Sequence, residues 1–217
     1  MSRSSHKYAR LDALASKGKL GSVLVRLMMV VNDMSLAMDA QRRWTEDAGE
    51  MRMHRERGAK VYFVRLQISH IFEAMKIVGE IAGNPGLMMA VDRAGSQTKK
   101  AFAALLAFKG SPEFRMMARI RNNLTFHYDP STIELALASL VAKYPDATGA
   151  VSLGDEPHNW FFEPGEMVGN RAAVREIFKV PEGADVGAET DKIVMRLHEV
   201  VQLFGGVAAS LIWQNSR

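Results

Sequence analysis

The feature that most restricts how this chain can fold is the recurrence of apolar residues at spacings of three and four over long stretches. Between Gly21 and Glu46 the residues Val23, Leu27, Val30, Met34 and Met38 keep that spacing, which places them on one face of an amphipathic helix. From about Ala59 to Ala82, Val61, Val64, Ile68, Ile71, Phe72, Met75, Val78 and Ile81 do the same, and Gly83-Asn84-Pro85-Gly86 stops the run. Two long helices joined by a short polar link predict an antiparallel pair. The fold class that follows is all-α: a bundle of two long antiparallel helices with shorter ones packed on it.

The shorter elements have their own punctuation. A short segment near Leu87 to Val91 precedes a helix from about Gln97 to Phe108 that Gly110 ends. Ser111-Pro112-Glu113 opens the next, with serine as cap and proline in the first helical position. It carries Phe114, Met117, Ile120 and Leu124 on one face and runs into Tyr128-Asp129-Pro130. After a helix from about Ser131 to Lys143 the pattern breaks. Val151, Leu153, Trp160, Phe161 and Phe162 lie among glycines and prolines, which predicts a small irregular or β-hairpin insertion near 148–168. A short helix near Arg171 to Phe178 and a last one from about Ala188 to Gln214 complete the chain. The expected organisation is a flexible N-terminal segment over 1–18, then one helical domain over 19–217 interrupted at about 145–169.

Composition narrows the chemistry. The chain contains no cysteine, which excludes disulfides, thiolate zinc sites and thiol nucleophiles. A net charge of +4 is compatible with an anionic partner but does not require one. The charged stretch Thr45 to Lys60 interleaves Glu46, Asp47, Glu50 and Glu56 with its arginines, so it reads as a solvated connector rather than a nucleic-acid arm. Met1 to Lys7 lacks the apolar run of a signal peptide. The apolar run Val200 to Trp213 is too short and too broken to span a bilayer. A cytoplasmic chain without membrane attachment is the default expectation.

Most standard constellations are absent. Gly18-Lys19-Leu20-Gly21-Ser22 lacks the spacing of a phosphate loop. His70 and Glu73 share a helix face but lack the further ligands a metal needs, so neither metal nor cofactor is expected. The aromatic run His158 to Phe162 and the methionines on helical faces read first as anchors and core filler.

One stretch stands apart: Arg121-Asn122-Asn123-Leu124-Thr125-Phe126-His127-Tyr128-Asp129, at the end of an apolar helix. Arg121 and His127 are six positions apart; on an ideal α-helix they point about 120° apart and sit roughly 9 Å apart along the axis. They converge only if the last turn bends, or if a symmetry mate supplies a second copy. Metal-independent RNA cleavage needs a base for the 2′-hydroxyl, an acid for the leaving oxygen and a cation for the transition-state phosphate. His127 titrates near neutrality when unperturbed, Arg121 offers a bidentate fork, and Asn122 can orient either.

The residues Arg121, Asn122 and His127, in the context Arg-Asn-x-Leu-x-Phe-His-Tyr, resemble the Arg-(four to six residues)-His signature of HEPN domains, the higher eukaryote and prokaryote nucleotide-binding superfamily. The resemblance covers about nine residues. It implies a helical domain that pairs two motifs across a homodimer as a metal-independent ribonuclease in toxin, phage-defence or stress physiology, with RNA as substrate and a protein antitoxin as a candidate partner. Arg121, Asn122 and His127 are then catalytic, and Arg119 and Tyr128 hold substrate. Two further readings stay open. Arg121 and His127 can instead bond the last carbonyls of their helix, and a fold of this kind can serve as a non-enzymatic module binding nucleotide, RNA or a protein partner.

Overall fold

The computed structural model describes residues 8–46, 53–125, 128–153, 155 and 161–215. The architecture is all-α: α1 (Leu11–Ala15), α2 (Lys19–Glu46), α3 (Met53–Ala82), α4 (Pro85–Arg93), α5 (Ser96–Gly110), α6 (Pro112–Ile120), α7 (Pro130–Lys143), α8 (Glu163–Arg171) and α9 (Val186–Asn215). Two segments are wound more widely, as π-helix: Arg121–Thr125 after α6 and Ala172–Ile177 after α8. The chain divides into two compact units. Unit 1 comprises Met1–Leu36, His70–Phe114 and Arg196–Arg217; unit 2 comprises Ala37–Ser69 and Arg115–Met195. The sequence reading anticipated one domain over 19–217.

Unit 1 is built of regular α-helix. Arg26, near the start of α2, bonds Glu80, near the end of α3, at 2.6 Å. Further along α2, Asp33 acts on His70 further back in α3. Contacts whose numbers rise on one helix as they fall on the other make the two stretches antiparallel. Leu24, Leu27, Ile71, Met75, Ile81, Leu105 and Phe204 are fully buried, each contributing about 1.5 to 3 kcal/mol of apolar transfer. Phe114 stacks on Phe72 and meets Phe108 edge-on, both at 5.7 Å. The Asn84-Pro85 pair that ends α3 also starts α4, since the Asn84 side chain accepts from Leu87 N at 3.1 Å and proline occupies the first turn. Ser111 caps α6 through Phe114 N at 3.1 Å.

Unit 1 also gives part of the expected flexible segment a defined place. Within 1–18, Leu11–Ala15 is helical and Leu14 is buried. The close approach depends on Gly21, because a Cβ there would stand 1.8 Å from the Leu14 carbonyl oxygen. Residues 1–7 lie outside the described residues.

In unit 2, α7 packs on α8 and on the π-segment Ala172–Ile177, with Ala136, Ala172 and Ala173 buried. Small side chains let these elements approach closely. Glu182, in the turn before α9, bonds Lys143 of α7 and Arg171 of α8, the latter at 2.6 Å. These cations hold its carboxyl down at about 2. Arg171 also bonds Ser139 at 3.0 Å through Nε.

The break expected over 145–169 is smaller than the sequence suggests. Val151–Ser152 pairs antiparallel with Phe161–Phe162 as a two-residue ladder; residues 156–160, with Trp160, lie outside the described residues. From Glu163 onward the chain is helical. Pro164 and Gly165, which read as loop residues, sit in the first turn of α8, where a missing N–H costs nothing. Similarly, α3 begins at Met53, inside the stretch read as connector. Among the described residues one helix, Lys19–Arg43, is long and apolar enough to cross a membrane by length and composition, a feature the sequence reading did not single out. In unit 1 its stretch buries Val23, Leu24, Leu27, Val30 and Met34.

Candidate functional site at the widened end of α6

The motif lies in unit 2, where α6 departs from α geometry. Met117, Ile120 and Leu124 keep the helical spacing and all three are buried, so the apolar face holds this end of the helix in place. The polar residues between them face outward: Asn122 is exposed and Arg121 half-buried. Arg121 Nη1 donates to Asn122 Oδ1 at 3.1 Å. The two neighbours are therefore joined directly, with the amide oxygen orienting the guanidinium.

The widening has visible supports. Arg65 of α3 donates from Nη1 to the Leu124 carbonyl at 3.2 Å, taking a carbonyl that the end of a helix leaves without an intrahelical partner. Thr125 Oγ1 bonds the carbonyl of Ile120 at 3.4 Å and lies 3.5 Å from that of Arg65. Beyond the turn, Asp129 N donates to the Asn123 carbonyl at 3.1 Å. Asp129 then caps α7, accepting from Thr132 N at 2.9 Å, Thr132 Oγ1 at 2.6 Å and Ser131 Oγ at 2.7 Å. These bonds, Thr132 first, hold its carboxyl below the usual range. Asp129 therefore serves as an ionised cap.

Of the residues singled out from sequence, Arg121 and Asn122 are brought together. Arg119 and Tyr128 are both exposed, Tyr128 at 72%, and among the described residues no hydrogen bond joins either to that pair. His127, together with Phe126, lies outside the described residues. Among the described residues no group of three or more His, Asp or Glu could hold a metal. His70 is half-buried, and burial lowers its pKa although Asp33 opposes this; its neighbour Glu73 bonds Lys76 at 2.8 Å.

Sequence reasoning missed Arg65. It sits on the apolar face of α3 between Val64 and Ile68, and only the long-range bond to Leu124 reveals its role. Beside it unit 2 holds a partly open pocket of about 230 Å³. In unit 1 a wider hollow of about 980 Å³ is open to solvent between the start of α5 and α9; there Thr98 Oγ1 and Ser210 Oγ satisfy each other at 3.0 Å. Comparison of the chain with protein-family models, with curated proteins and with solved structures finds no match.

Proposed function

We propose that the chain is a metal-independent endoribonuclease of HEPN type, acting as a cytoplasmic homodimer on RNA in toxin, phage-defence or stress physiology, with a protein antitoxin as a candidate partner. The observation that carries this reading is the Arg121–Asn122 pair on the widened end of α6, six positions before His127 in sequence, in an all-α chain. A helix end of this kind gives a phosphate an oriented guanidinium. His127 supplies the proton-transfer group, one from each protomer providing acid and base. Arg119 and Tyr128, both exposed, hold the substrate strand.

Cleavage of single-stranded RNA by the purified chain should persist in excess EDTA, and light scattering should give twice the monomer mass at micromolar concentration. Activity that requires added Mg²⁺ or Mn²⁺ points to metal-assisted hydrolysis instead. A monomer that cleaves RNA removes the composite site.

A second reading is a non-enzymatic module that binds nucleotide, RNA or a protein partner. The observation favouring it is the exposed apolar group Val151, Leu153 and Phe162 around the two-residue ladder. Binding of RNA without cleavage would favour it over the first.

A further inference from the structure

Helix α2 leaves an aligned apolar stripe in water. Among the described residues it is the one helix apolar enough to cross a bilayer, yet only about a third of its most apolar window is buried. Within unit 1, Val23, Leu24, Leu27, Val30 and Met34 take the buried side. On the opposite side Ser22, Val25, Met29, Asn32 and Leu36 follow one another at spacings of three and four, and all five are exposed, Met29 at 58% and Leu36 at 69%. Apolar side chains scattered singly over a surface call for no partner. Positions in this order are instead the seam of a heptad pattern, whose period of 3.5 keeps one stripe facing a second helix.

The polar residues on and beside the stripe decide between lipid and a helix as its cover. Asn32 and Asp33, both exposed, fall at the middle of α2, where hydrocarbon would strip the water from an amide and a carboxylate. A second helix leaves the flanking positions in water, and a single asparagine in the seam fixes its register.

The charges decide the orientation. Arg26 and Asp33 are seven residues apart and so lie along one edge of the stripe. In a parallel two-fold pair that edge would face the other one, which carries the uncharged Met28 and Ser35. In an antiparallel pair it faces its own copy. Lys19 and Arg26 both reach Glu80, at 4.0 and 2.6 Å, which leaves two cations on one carboxylate at this end of α2. Asp33 acts on His70, which burial pushes toward its neutral form, so the negative charge of Asp33 is left uncompensated. Antiparallel pairing brings that negative charge to the positive surplus.

We infer that the outer face of α2 is the contact between two copies of this chain, paired antiparallel about a two-fold axis that passes between Met29 and Asn32. Val25 then packs against the partner's Leu36, and Asp33 lies beside the partner's Arg26. A contact of this kind is isologous and closes on itself. The inference gives a face to the homodimer of the ribonuclease reading and does not rest on RNA cleavage.

Light scattering of the full chain should give twice the monomer mass at micromolar concentration, and Met29→Glu should weaken association at least tenfold with an unchanged circular dichroism spectrum. Because the chain contains no cysteine, single thiols report the register. A mixture of Val25→Cys and Leu36→Cys chains oxidised with diamide should give a disulfide-linked dimer on a non-reducing gel. Leu36→Cys alone should give none, since the two Leu36 positions stand roughly 16 Å apart along the antiparallel pair. A dimer that Met29→Glu leaves intact overturns this face while the homodimer itself stands. Leu36→Cys cross-linking as readily alone as in the mixture overturns the antiparallel pairing. A monomeric wild type overturns the inference whatever RNA it cleaves, and a monomer that floats with phosphatidylcholine vesicles gives the face to lipid instead.

Discussion

The α2, α5 and α9 stretches of unit 1 and the α6-to-α8 stretch of unit 2 use similar helices to different ends. In unit 1 the described helices keep α geometry and large side chains such as Phe204 and Leu105 are fully buried. In unit 2 the helix twice widens to π geometry and a lysine adopts a left-handed conformation. Packing alone favours the first arrangement. A chain that keeps the second is retaining irregularity where regular helix is available, and the candidate motif lies within that region. Strain and incomplete packing of this kind accompany sites that act on or hold something.

The contrast can be broken by core truncation. Phe204→Ala should lower unfolding free energy by about 3 to 5 kcal/mol, as expected for a fully buried aromatic. Ile120→Ala, beside an existing cavity, should fall at the low end of the roughly 2 to 5 kcal/mol seen for aliphatic truncation, since part of its surroundings is already open. Urea unfolding measures both. An Ile120 variant that loses as much as the Phe204 variant would mean that unit 2 is packed as tightly as unit 1.

A smaller effect tests the N-terminal helix. Gly21→Ala forces a methyl group against the Leu14 carbonyl, so either α2 shifts or α1 leaves its place, at a cost of about 1 to 3 kcal/mol. Limited trypsin digestion should then cut faster at Lys17. Unchanged stability and unchanged cleavage would return this segment to the flexible lead that the sequence suggests.

The smallest effect concerns Glu182. Its carboxyl titrates at about 2, against an ordinary value of 4.5, because Lys143 and Arg171 bond it. The unfolded chain therefore takes up this proton at higher pH than the folded one. The contribution to stability is fully present above pH 4.5 and is lost as pH falls from there toward about 2. Glu182 is exposed, so the effect is modest and weakens with salt. Between about pH 6 and about pH 3 at low salt, the melting temperature of the wild type should fall further than that of Glu182→Gln. Parallel falls would show that the cluster joining α7, α8 and the following turn adds nothing measurable.

Much of unit 1 is legible in the sequence because its signals are local. The spacing of Val23, Leu27, Val30 and Met34, the stop at Gly83 to Gly86 and the Ser111 cap each act within a few residues. Unit 2 is harder to read. Met117, Ile120 and Leu124 keep α-helical spacing, so nothing local announces the π-turn; it depends on Arg65, 59 positions away from Leu124. Pro164 and Gly165 resemble loop residues until their place in a first turn is known. Asp129 was legible as an extended residue before proline but not as the cap of α7, since that role depends on where Thr132 falls. The cavity could not be read at all, because it is made by residues from α2, α3, α6, α8, the π-segment and turn that follow it, and α9. The pairing of Arg121 with Asn122 is the part of the site that sequence and structure share.

The central claim is that this pair, with His127, cleaves RNA. The most direct measurement is the single-turnover cleavage rate of single-stranded RNA in excess EDTA by the wild type, Arg121→Ala, His127→Ala and Asn122→Ala, with circular dichroism of each. The account predicts EDTA-resistant cleavage by the wild type, at least about a hundredfold slower cleavage by folded Arg121→Ala and His127→Ala, and a smaller loss for Asn122→Ala. A wild type that cleaves no RNA in EDTA, or folded Arg121 and His127 variants that keep full activity, would contradict it.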